Sequence, residues 1–249
     1  MSKSVNLYVV VPCYNEEAVL HETSKQMLEL FGEMKNDGLI NDNSRIVFVD
    51  DGSKDKTWSI IDELTHTEIS GIKLAKNAGH QNALFGGLMT VKDDCDCAIS
   101  IDADLQDDIH VIPDMVRNFI DGYDVVYGVR NKRDTDTFFK RTTAIGFYKL
   151  MQFMGVNIVF NHADYRLMSK RALDGLAQFP ERNLFLRGMV PLVGYRSTNV
   201  YYDRNERFAG ESKYPLKKML AFAFDGISSF SVKPIRFIVR IGFVIFIVS

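Results

Sequence analysis

Short apolar runs alternate with longer segments of helical periodicity through the first half of the chain, and this alternation constrains the fold most. Such a pattern is typical of βα units and a mainly parallel sheet. The predicted strands are 6–11, 45–49, 72–75, 97–101 and 123–127, and the predicted helices are 16–34, 56–64, 79–91 and 112–121. We therefore expect an α/β fold whose mostly parallel sheet is flanked by helices.

Composition limits the number of domains and the kinds of partner. A chain of 249 residues with 46% hydrophobic content can bury one α/β core, whereas two full domains would be cramped. The net charge of -2 does not favour nucleic acid as a partner. Cys13, Cys95 and Cys97 form neither an even disulfide framework nor a zinc-binding spacing, which indicates reduced thiols in a cytosolic compartment.

Polar clusters follow the first four predicted strands. In open α/β sheets, ligands bind beyond the carboxyl ends of the strands, so these clusters are expected to meet at one rim. The clusters are Pro12-Cys13-Tyr14-Asn15-Glu16, Asp50-Asp51-Gly52-Ser53, Asn77-Ala78-Gly79-His80-Gln81 and Asp102-Ala103-Asp104.

Asp102 and Asp104 form a candidate metal site. If the backbone is still extended there, both carboxylates project the same way. Mg²⁺ or Mn²⁺ prefers oxygen ligands and is usually held by one or two carboxylates plus substrate phosphates. Gln106 and Asp107 are close enough in sequence to contribute. A single Asp-x-Asp, however, is more often a solvated loop than a metal site.

The second and third clusters each allow a structural and a functional interpretation. Ser53 or Asp55 could simply cap the helix that begins near Lys56, or a carboxylate here could accept hydrogen bonds from a ribose hydroxyl or a base edge. Gly79 could mark a turn, or it could let backbone N–H groups approach a nucleotide at the start of a helix.

The C-terminal part of the chain has a different character. Residues 235–248 are almost wholly apolar, interrupted by Arg236 and Arg240. Because a spanning helix needs about 20 apolar residues, we expect either an interfacial anchor or, preferentially, a membrane helix that is cut short. Segments 142–155 and 215–230 combine basic residues with an apolar face, which is typical of helices on an anionic membrane surface or of core-facing helices.

The ordered series of motifs resembles a known family. The stretches 9–17, 49–55, 77–79 and 102–107 occur in order at strand ends and resemble the family 2 glycosyltransferases, which have the GT-A fold, a Rossmann-like α/β fold. Residues 126–130, 139–141, 164–168 and 207–214 look like those of the polyprenyl-phosphate glycosyltransferases, the group of bactoprenol glucosyltransferase and dolichol-phosphate mannosyltransferase. A phosphatase of the haloacid dehalogenase type is disfavoured, because its Asp-x-Asp follows the first strand and not the fourth.

The resemblance implies a role for each matching residue. The nucleotide sugar would be held by Pro12, Tyr14, Asn15, Glu16, Asp51, Asn77, Gly79, Asp102, Ala103 and Asp104. A Mg²⁺ or Mn²⁺ ion would be held by Asp102, Asp104 and Gln106. The acceptor phosphate would meet Arg130, Arg141, Arg207 and Lys213, although a solvated face or lipid contact is the alternative for each. The implied catalytic set is Asp102, Asp104, Arg130 and Asp164, with Asp164 the first candidate for a general base and Asp107 the second.

The implied activity is that of a metal-dependent, inverting hexosyltransferase. It would move a hexose, with glucose preferred, from a nucleoside diphosphate sugar to a polyprenyl phosphate such as undecaprenyl phosphate, for modification of a cell-surface glycan. A phosphate monoester has a second pKa near 6, so this acceptor does not strictly require a base at pH 7. GDP-mannose or UDP-N-acetylhexosamine would fit the same motifs, and a non-catalytic, membrane-bound scaffold that binds nucleotide sugars is the remaining alternative.

The same resemblance divides the chain into three parts. We expect a GT-A catalytic domain over 1–214, an amphipathic interfacial helix over 215–233 and the start of a membrane helix over 234–249. Since no cleavable leader precedes the first strand, the catalytic domain is expected on the cytoplasmic side of the cell membrane. The expected partners are a nucleotide sugar, a polyprenyl phosphate and the membrane, without nucleic acid, and self-association is left open.

Overall fold

The computed structural model describes residues 4–64, 66–131, 162–181, 184–205 and 233–248. The chain divides into two compact units. Of the described residues, 4–64, 66–131, 162–180 and 193–205 belong to the first unit, and 181, 184–192 and 233–248 belong to the second. The predicted membrane-surface segments 142–155 and 215–230 lie outside the described residues.

The first unit contains a seven-stranded sheet and its flanking helices. Its strands are β1 (Leu7–Cys13), β2 (Arg45–Asp50), β3 (Ile69–Lys73), β4 (Cys97–Ser100), β5 (Val125–Arg130), β6 (His162–Ser169) and β7 (Ser197–Tyr202). Its helices are α1 (Leu20–Asn36), α2 (Thr57–Glu63), α3 (His80–Val91), α4 (Ile112–Ile120) and α5 (Lys170–Ala177). A short 3₁₀ helix, Ile109–Val111, leads into α4.

The strand order is β3-β2-β1-β4-β6-β5-β7. Strands β3, β2, β1 and β4 are parallel to one another, and β7 is parallel to β5. Strand β6 runs antiparallel to both of its neighbours, β4 and β5. The expectation of a mostly parallel sheet is therefore confirmed, with one antiparallel strand inserted near its centre.

Strand β1 is buried on both faces, as expected for a parallel strand covered by helices. Val10 faces α3, which packs closely because a Cβ on Gly87 would lie only 2.6 Å from the Val10 side chain. Val9 and Val11 belong to the core cluster on the other face, together with Phe31 of α1 and other residues. Alternate residues of one strand thus anchor helices on opposite faces of the sheet.

Several predicted boundaries need correction. Helix α1 begins at Leu20 and not near residue 16, because backbone N–H groups before it donate to side chains of the next loop. Strand β3 occupies Ile69–Lys73 and not 72–75, since its pairing with β2 places Ile69 beside Ile46. Strands β6 and β7 were not predicted.

The second unit includes two described helices, α6 (Leu186–Leu192) and α7 (Lys233–Val248). Helix α7 coincides with the apolar C-terminal run, and its described side chains, from Arg236 to Ile247, are exposed. Within the described parts of the chain, no helix combines the length and the apolar character needed to cross a membrane.

Candidate active site

The loops after β1 and β2 are tied together by side chains that accept backbone hydrogen bonds. The N–H of Asn15 donates to Ser53 Oγ at 3.0 Å, and the N–H of Glu16 donates to Thr57 Oγ1 at 2.8 Å. In return, the N–H of Lys54 donates to Asn15 Oδ1 at 2.8 Å. Asn15 has a φ of 53°, a conformation that asparagine tolerates better than most residues. The first two predicted clusters therefore form one braced unit.

Asp51 and Gly52 join this unit to the loop before α3. The Asp51 carboxylate accepts the N–H groups of Ala78 at 2.6 Å and Gly79 at 3.0 Å. Gly52 has a φ of +66°, and a Cβ there would lie 2.6 Å from the backbone N of Asn77. The backbone N–H of Gly79, expected to approach a nucleotide, is thus bonded to Asp51, while Asn77 remains exposed.

Asp102 and Asp104 lie in a turn beyond the end of β4, which stops at Ser100. The condition of an extended backbone is not met, because residues 103–104 form a turn, and Leu105, with a φ of 55°, bends the chain further from the strand direction. This uncommon conformation is held in place by two bonds: Thr23 of α1 donates to the Ala103 carbonyl at 2.7 Å, and the Gln106 N–H donates to Asp104 Oδ1 at 3.2 Å.

Asp102 lies beside a histidine and several other carboxylates. Its side chain is 40% exposed, and His80 Nε2 lies 3.6 Å from its Oδ1. Restricted hydration raises the pKa of Asp102 to about 6, His80 opposes the shift, and the nearby carboxylates of Asp107, Asp164 and Asp104 add to it. Negative charge is therefore concentrated at the end of β4.

Strand β6 supplies a further carboxylate, Asp164, to the end of β4. Ser100 of β4 pairs with Arg166 of β6, and the Ser100 hydroxyl donates to the Asp164 carbonyl at 2.5 Å. The Asp164 carboxylate accepts Arg166 Nη2 at 2.5 Å and Gln81 Nε2 at 3.1 Å, and His80 Nε2 lies 3.6 Å from it. The first candidate for a general base is thus paired with a guanidinium that is only 1% exposed.

The second candidate, Asp107, is also engaged. Its side chain is 2% exposed, and its Oδ1 accepts Arg130 Nη2 at 2.8 Å and the Tyr202 hydroxyl at 2.5 Å. Burial by itself would lower the pKa of Arg130, but Asp107 and Tyr202 outweigh that effect and raise it above its ordinary value. Arg130 is consequently a permanent cation at the edge of the aspartate cluster.

Gln106 forms a parallel link to the end of β7. Its side-chain oxygen accepts a hydrogen bond from Arg204 Nη2, and its backbone carbonyl accepts the N–H of Asn205 at 2.9 Å. The side-chain oxygen predicted to contact the metal ion is therefore used by an arginine. Asp104 and Asp102 are the metal-ligand candidates that this contact leaves unaffected.

The donor chemistry of the turn fits a divalent cation. Asp102 and Asp104 offer hard oxygen atoms, and the carboxylates of Asp107 and Asp164 add negative charge that a cation would offset. Among the described residues, no group of three or more histidine, cysteine, aspartate or glutamate side chains is placed to hold a metal ion. A pair of carboxylates suits Mg²⁺ or Mn²⁺, because substrate phosphates commonly complete the coordination of such ions.

The described part of the chain brings together the predicted residues of four strand ends. Tyr14 and Glu16 are partly exposed on the braced loops, and Pro12 is buried at the end of β1. Arg141, Arg207 and Lys213 lie outside the described residues. Sequence reasoning gave no role to His80, Arg166, Tyr202 or Arg204. Asp164 and Arg166 are two residues apart, so on a strand they share a face, and this spacing was the one local signal that they lie side by side.

Comparison with known proteins agrees with this arrangement. The family model described as "Glycosyl transferase family 2" matches residues 8–176. The uncharacterized glycosyltransferase YkoT of Bacillus subtilis (strain 168) is 57% identical over 98% of this chain and 73% of its own length. A prophage bactoprenol glucosyl transferase homolog of Escherichia coli (strain K12) is 38% identical over 97% of this chain and 77% of its own length.

A solved structure confirms the type of fold. The mannosyltransferase PcManGT from Pyrobaculum calidifontis, in complex with GDP-Man and Mn²⁺, has a TM-score of 0.56 and 19% identity to this chain. The match covers 80% of this chain and 55% of that one. The sheet described above is accordingly of the GT-A type. With the family match over residues 8–176, the chain is a glycosyltransferase and belongs to glycosyl transferase family 2.

Proposed function

We propose that this glycosyltransferase transfers a hexose, with glucose preferred, from a nucleoside diphosphate sugar to a polyprenyl phosphate, with inversion. The observation that carries the proposal is the juxtaposition, within residues 102–107, of the Asp102 and Asp104 pair with the Asp107–Arg130 ion pair. The carboxylates suit a metal-bound diphosphate leaving group, and the guanidinium suits an anionic acceptor.

Both candidate bases are held in ion pairs, and this agrees with an acceptor that is already ionised when it binds. Asp164 is paired with Arg166, and Asp107 is paired with Arg130. A sugar hydroxyl would need a positioned base, whereas a phosphate monoester is mostly dianionic at pH 7. The relative in Escherichia coli, named as a bactoprenol glucosyl transferase homolog, supports the same class of acceptor.

A divalent ion would be held by Asp102 and Asp104, and it would supply positive charge for the departing diphosphate. The protein's own contribution is to orient the donor. The braced loops around Asn15, Asp51 and Asn77 would bind the nucleoside. Arg130 would bind the acceptor phosphate, and inversion requires that this phosphate attack the anomeric carbon from the side opposite the leaving diphosphate.

We place the reaction at the cytoplasmic face of the cell membrane. The described side chains of helix α7 support contact with a membrane, because isoleucine, valine and phenylalanine residues from Ile238 to Ile247 are exposed beside Arg236 and Arg240. Exposed apolar side chains with adjacent cations suit an anionic lipid surface.

The test uses the full chain with vesicles that contain undecaprenyl phosphate. Radiolabelled UDP-glucose, UDP-N-acetylhexosamine and GDP-mannose are supplied in turn with Mn²⁺, and the label in the organic phase is counted. We expect label from UDP-glucose, which EDTA abolishes and added Mn²⁺ restores. Label found only in water-soluble polymer, or in no product, would contradict the proposed acceptor.

A matched pair of variants tests the metal assignment. Asp104→Asn removes one negative charge from the turn and should lower transfer by about 100-fold or more, since charge stabilisation of the leaving group is lost. Asp114→Asn makes the same chemical change on an exposed position of α4, where the carboxylate pairs with Arg117, and should leave transfer unchanged. Equal activity of the two variants would refute the role of Asp104.

A further inference from the structure

Helix α1 carries two hydroxyl groups on its buried face. The Ser24 hydroxyl donates to the His21 carbonyl of its own helix at 3.0 Å. Thr23, which is fully buried, reaches a different element, because its hydroxyl also donates to the carbonyl of Ala103 at 2.7 Å. The two residues that this bond joins are 80 positions apart in the sequence. Thr23 therefore links α1 to the turn after β4.

The Thr23 hydroxyl has two acceptors within reach. The Val19 carbonyl, one turn earlier in the chain, lies 2.9 Å from Thr23 Oγ1 and already accepts the Thr23 backbone N–H at 2.9 Å. A hydroxyl carries one proton, so it serves one acceptor at a time. The contact with Ala103 is the shorter one, and Ala103 is only 4% exposed, so water is poorly placed to replace this donor. The hydroxyl is therefore needed more by Ala103 than by Val19.

The planarity of the peptide bond carries this contact to Asp104. The Ala103 carbonyl and the Asp104 N–H belong to one peptide plane, so a donor that fixes the carbonyl also fixes the direction in which the chain enters Asp104. Ala103 and Leu105, on either side of Asp104, belong to the core cluster that includes apolar residues of α1. Apolar packing is non-directional, whereas a hydrogen bond specifies the orientation of the carbonyl. Thr23 thus orients a turn that packing alone only locates.

We propose that Thr23 is a positioning residue for the divalent cation, because its hydroxyl orients the peptide that joins Ala103 to Asp104. The inference rests on the proposed role of Asp102 and Asp104 as metal ligands. Removal of the hydroxyl would leave a buried carbonyl without its donor, and rotation of that carbonyl toward another donor would turn Asp104 with it. Thr23 contacts the backbone of the turn, so it acts on the ion only through the aspartates.

Binding of Mn²⁺ in the presence of UDP tests this assignment without depending on turnover. Mn²⁺ is titrated calorimetrically into the full chain and into Thr23→Val, which replaces the hydroxyl by a methyl group, and the heat of Mn²⁺ binding to UDP alone is subtracted. We expect Thr23→Val to raise the dissociation constant of Mn²⁺ by about tenfold, as when a group that orients a metal ligand is removed. Thr23→Ser keeps the hydroxyl and should recover most of the affinity.

Thr90→Val is the matched control. Thr90 is an exposed residue near the end of α3, and its hydroxyl donates at 2.8 Å to the carbonyl of Gly86, four residues earlier in the same helix. The substitution makes the same chemical change and should alter the dissociation constant by less than about twofold. Urea denaturation is measured for each variant, because a purely structural role of Thr23 would lower the free energy of unfolding and leave the Mn²⁺ affinity of the folded protein unchanged.

The outcomes separate this inference from the proposed function. Unchanged Mn²⁺ affinity in Thr23→Val overturns the inference alone if the unsubstituted chain binds Mn²⁺ and transfers sugar to lipid. Equal losses in Thr23→Val and Thr23→Ser also overturn it, because the hydroxyl would then not be the group responsible. A loss in Thr23→Val that serine recovers, without any transfer to lipid, overturns the proposed acceptor and leaves the positioning role standing. An unsubstituted chain that binds no Mn²⁺ overturns the metal assignment and this inference together.

Discussion

Gly52 offers the sharpest test of how the site is braced. It has a φ of +66°, and a Cβ at this position would lie 2.6 Å from the backbone atoms Asn77 N and Lys76 C. Gly38 has an almost identical φ of +67° but no atom within 4 Å of a built Cβ. Substitution by alanine at the two sites therefore isolates steric contact from backbone strain.

The expected losses follow from these two terms. Alanine in a left-handed conformation costs about 1–2 kcal/mol, which is the whole expected effect of Gly38→Ala. Gly52→Ala adds overpacking against backbone atoms, which costs roughly another 1–3 kcal/mol. We therefore expect Gly52→Ala to reduce the free energy of unfolding by about 2–5 kcal/mol.

Urea denaturation followed by the fluorescence of Trp58, the single tryptophan, measures both losses. Gly52→Ala should also weaken UDP binding, because it displaces the loop that carries Asn77 from the loop that carries Asp51. Gly38→Ala should bind UDP normally. Equal losses of stability in the two variants, or normal UDP affinity in Gly52→Ala, would refute the bracing role of the close contact.

Two further predictions concern titratable groups away from the site. Hydrogen bonds from Lys35 and other neighbours lower the pKa of Glu68 from 4.5 to about 2, so its stabilising effect is complete above pH 4.5 and is lost as the pH falls toward 2. Glu68→Gln should cost about 1–2 kcal/mol in urea denaturation at pH 6 and clearly less at pH 2.5, whereas a cost independent of pH would contradict this. Burial raises the pKa of Cys13, Cys95 and Cys97, for Cys95 to about 12, so an aromatic disulfide reagent at pH 8 should label the three thiols slowly in the native protein and rapidly in urea. Rapid labelling of the native protein would show that these thiols are more accessible than their burial indicates.

The first half of the fold could be predicted because its signals are local. Apolar periodicity identified β1 to β5 and the helices between them, and the chemistry of strand ends identified the loops that meet at the rim. The late start of α1 has a specific cause. The chain between β1 and α1 donates its N–H groups to Ser53 and Thr57, and a helix pattern does not contain that information.

The antiparallel strand β6 could not be predicted from local pattern. Its sequence is compatible with a strand, but its partners β4 and β5 are distant in the sequence, and a local pattern does not say which strands will pair. For the same reason, the contact of Gln106 with Arg204 was missed, since the two residues are 98 positions apart. The resemblance assigns Gln106 to the metal ion, and the structure adds that its side-chain oxygen accepts a hydrogen bond from Arg204.

The position of β6 has a consequence for biosynthesis. Strands β4 and β5 are not adjacent in the sheet, so until His162–Ser169 leaves the ribosome each presents an edge without its native partner. Unpaired edges of partly synthesised chains are prone to aggregation. Asp164 also comes close to His80 and Asp102 only when this strand docks, so a nascent chain ending near residue 131 would carry the loops proposed to bind the nucleotide without Asp164 beside them.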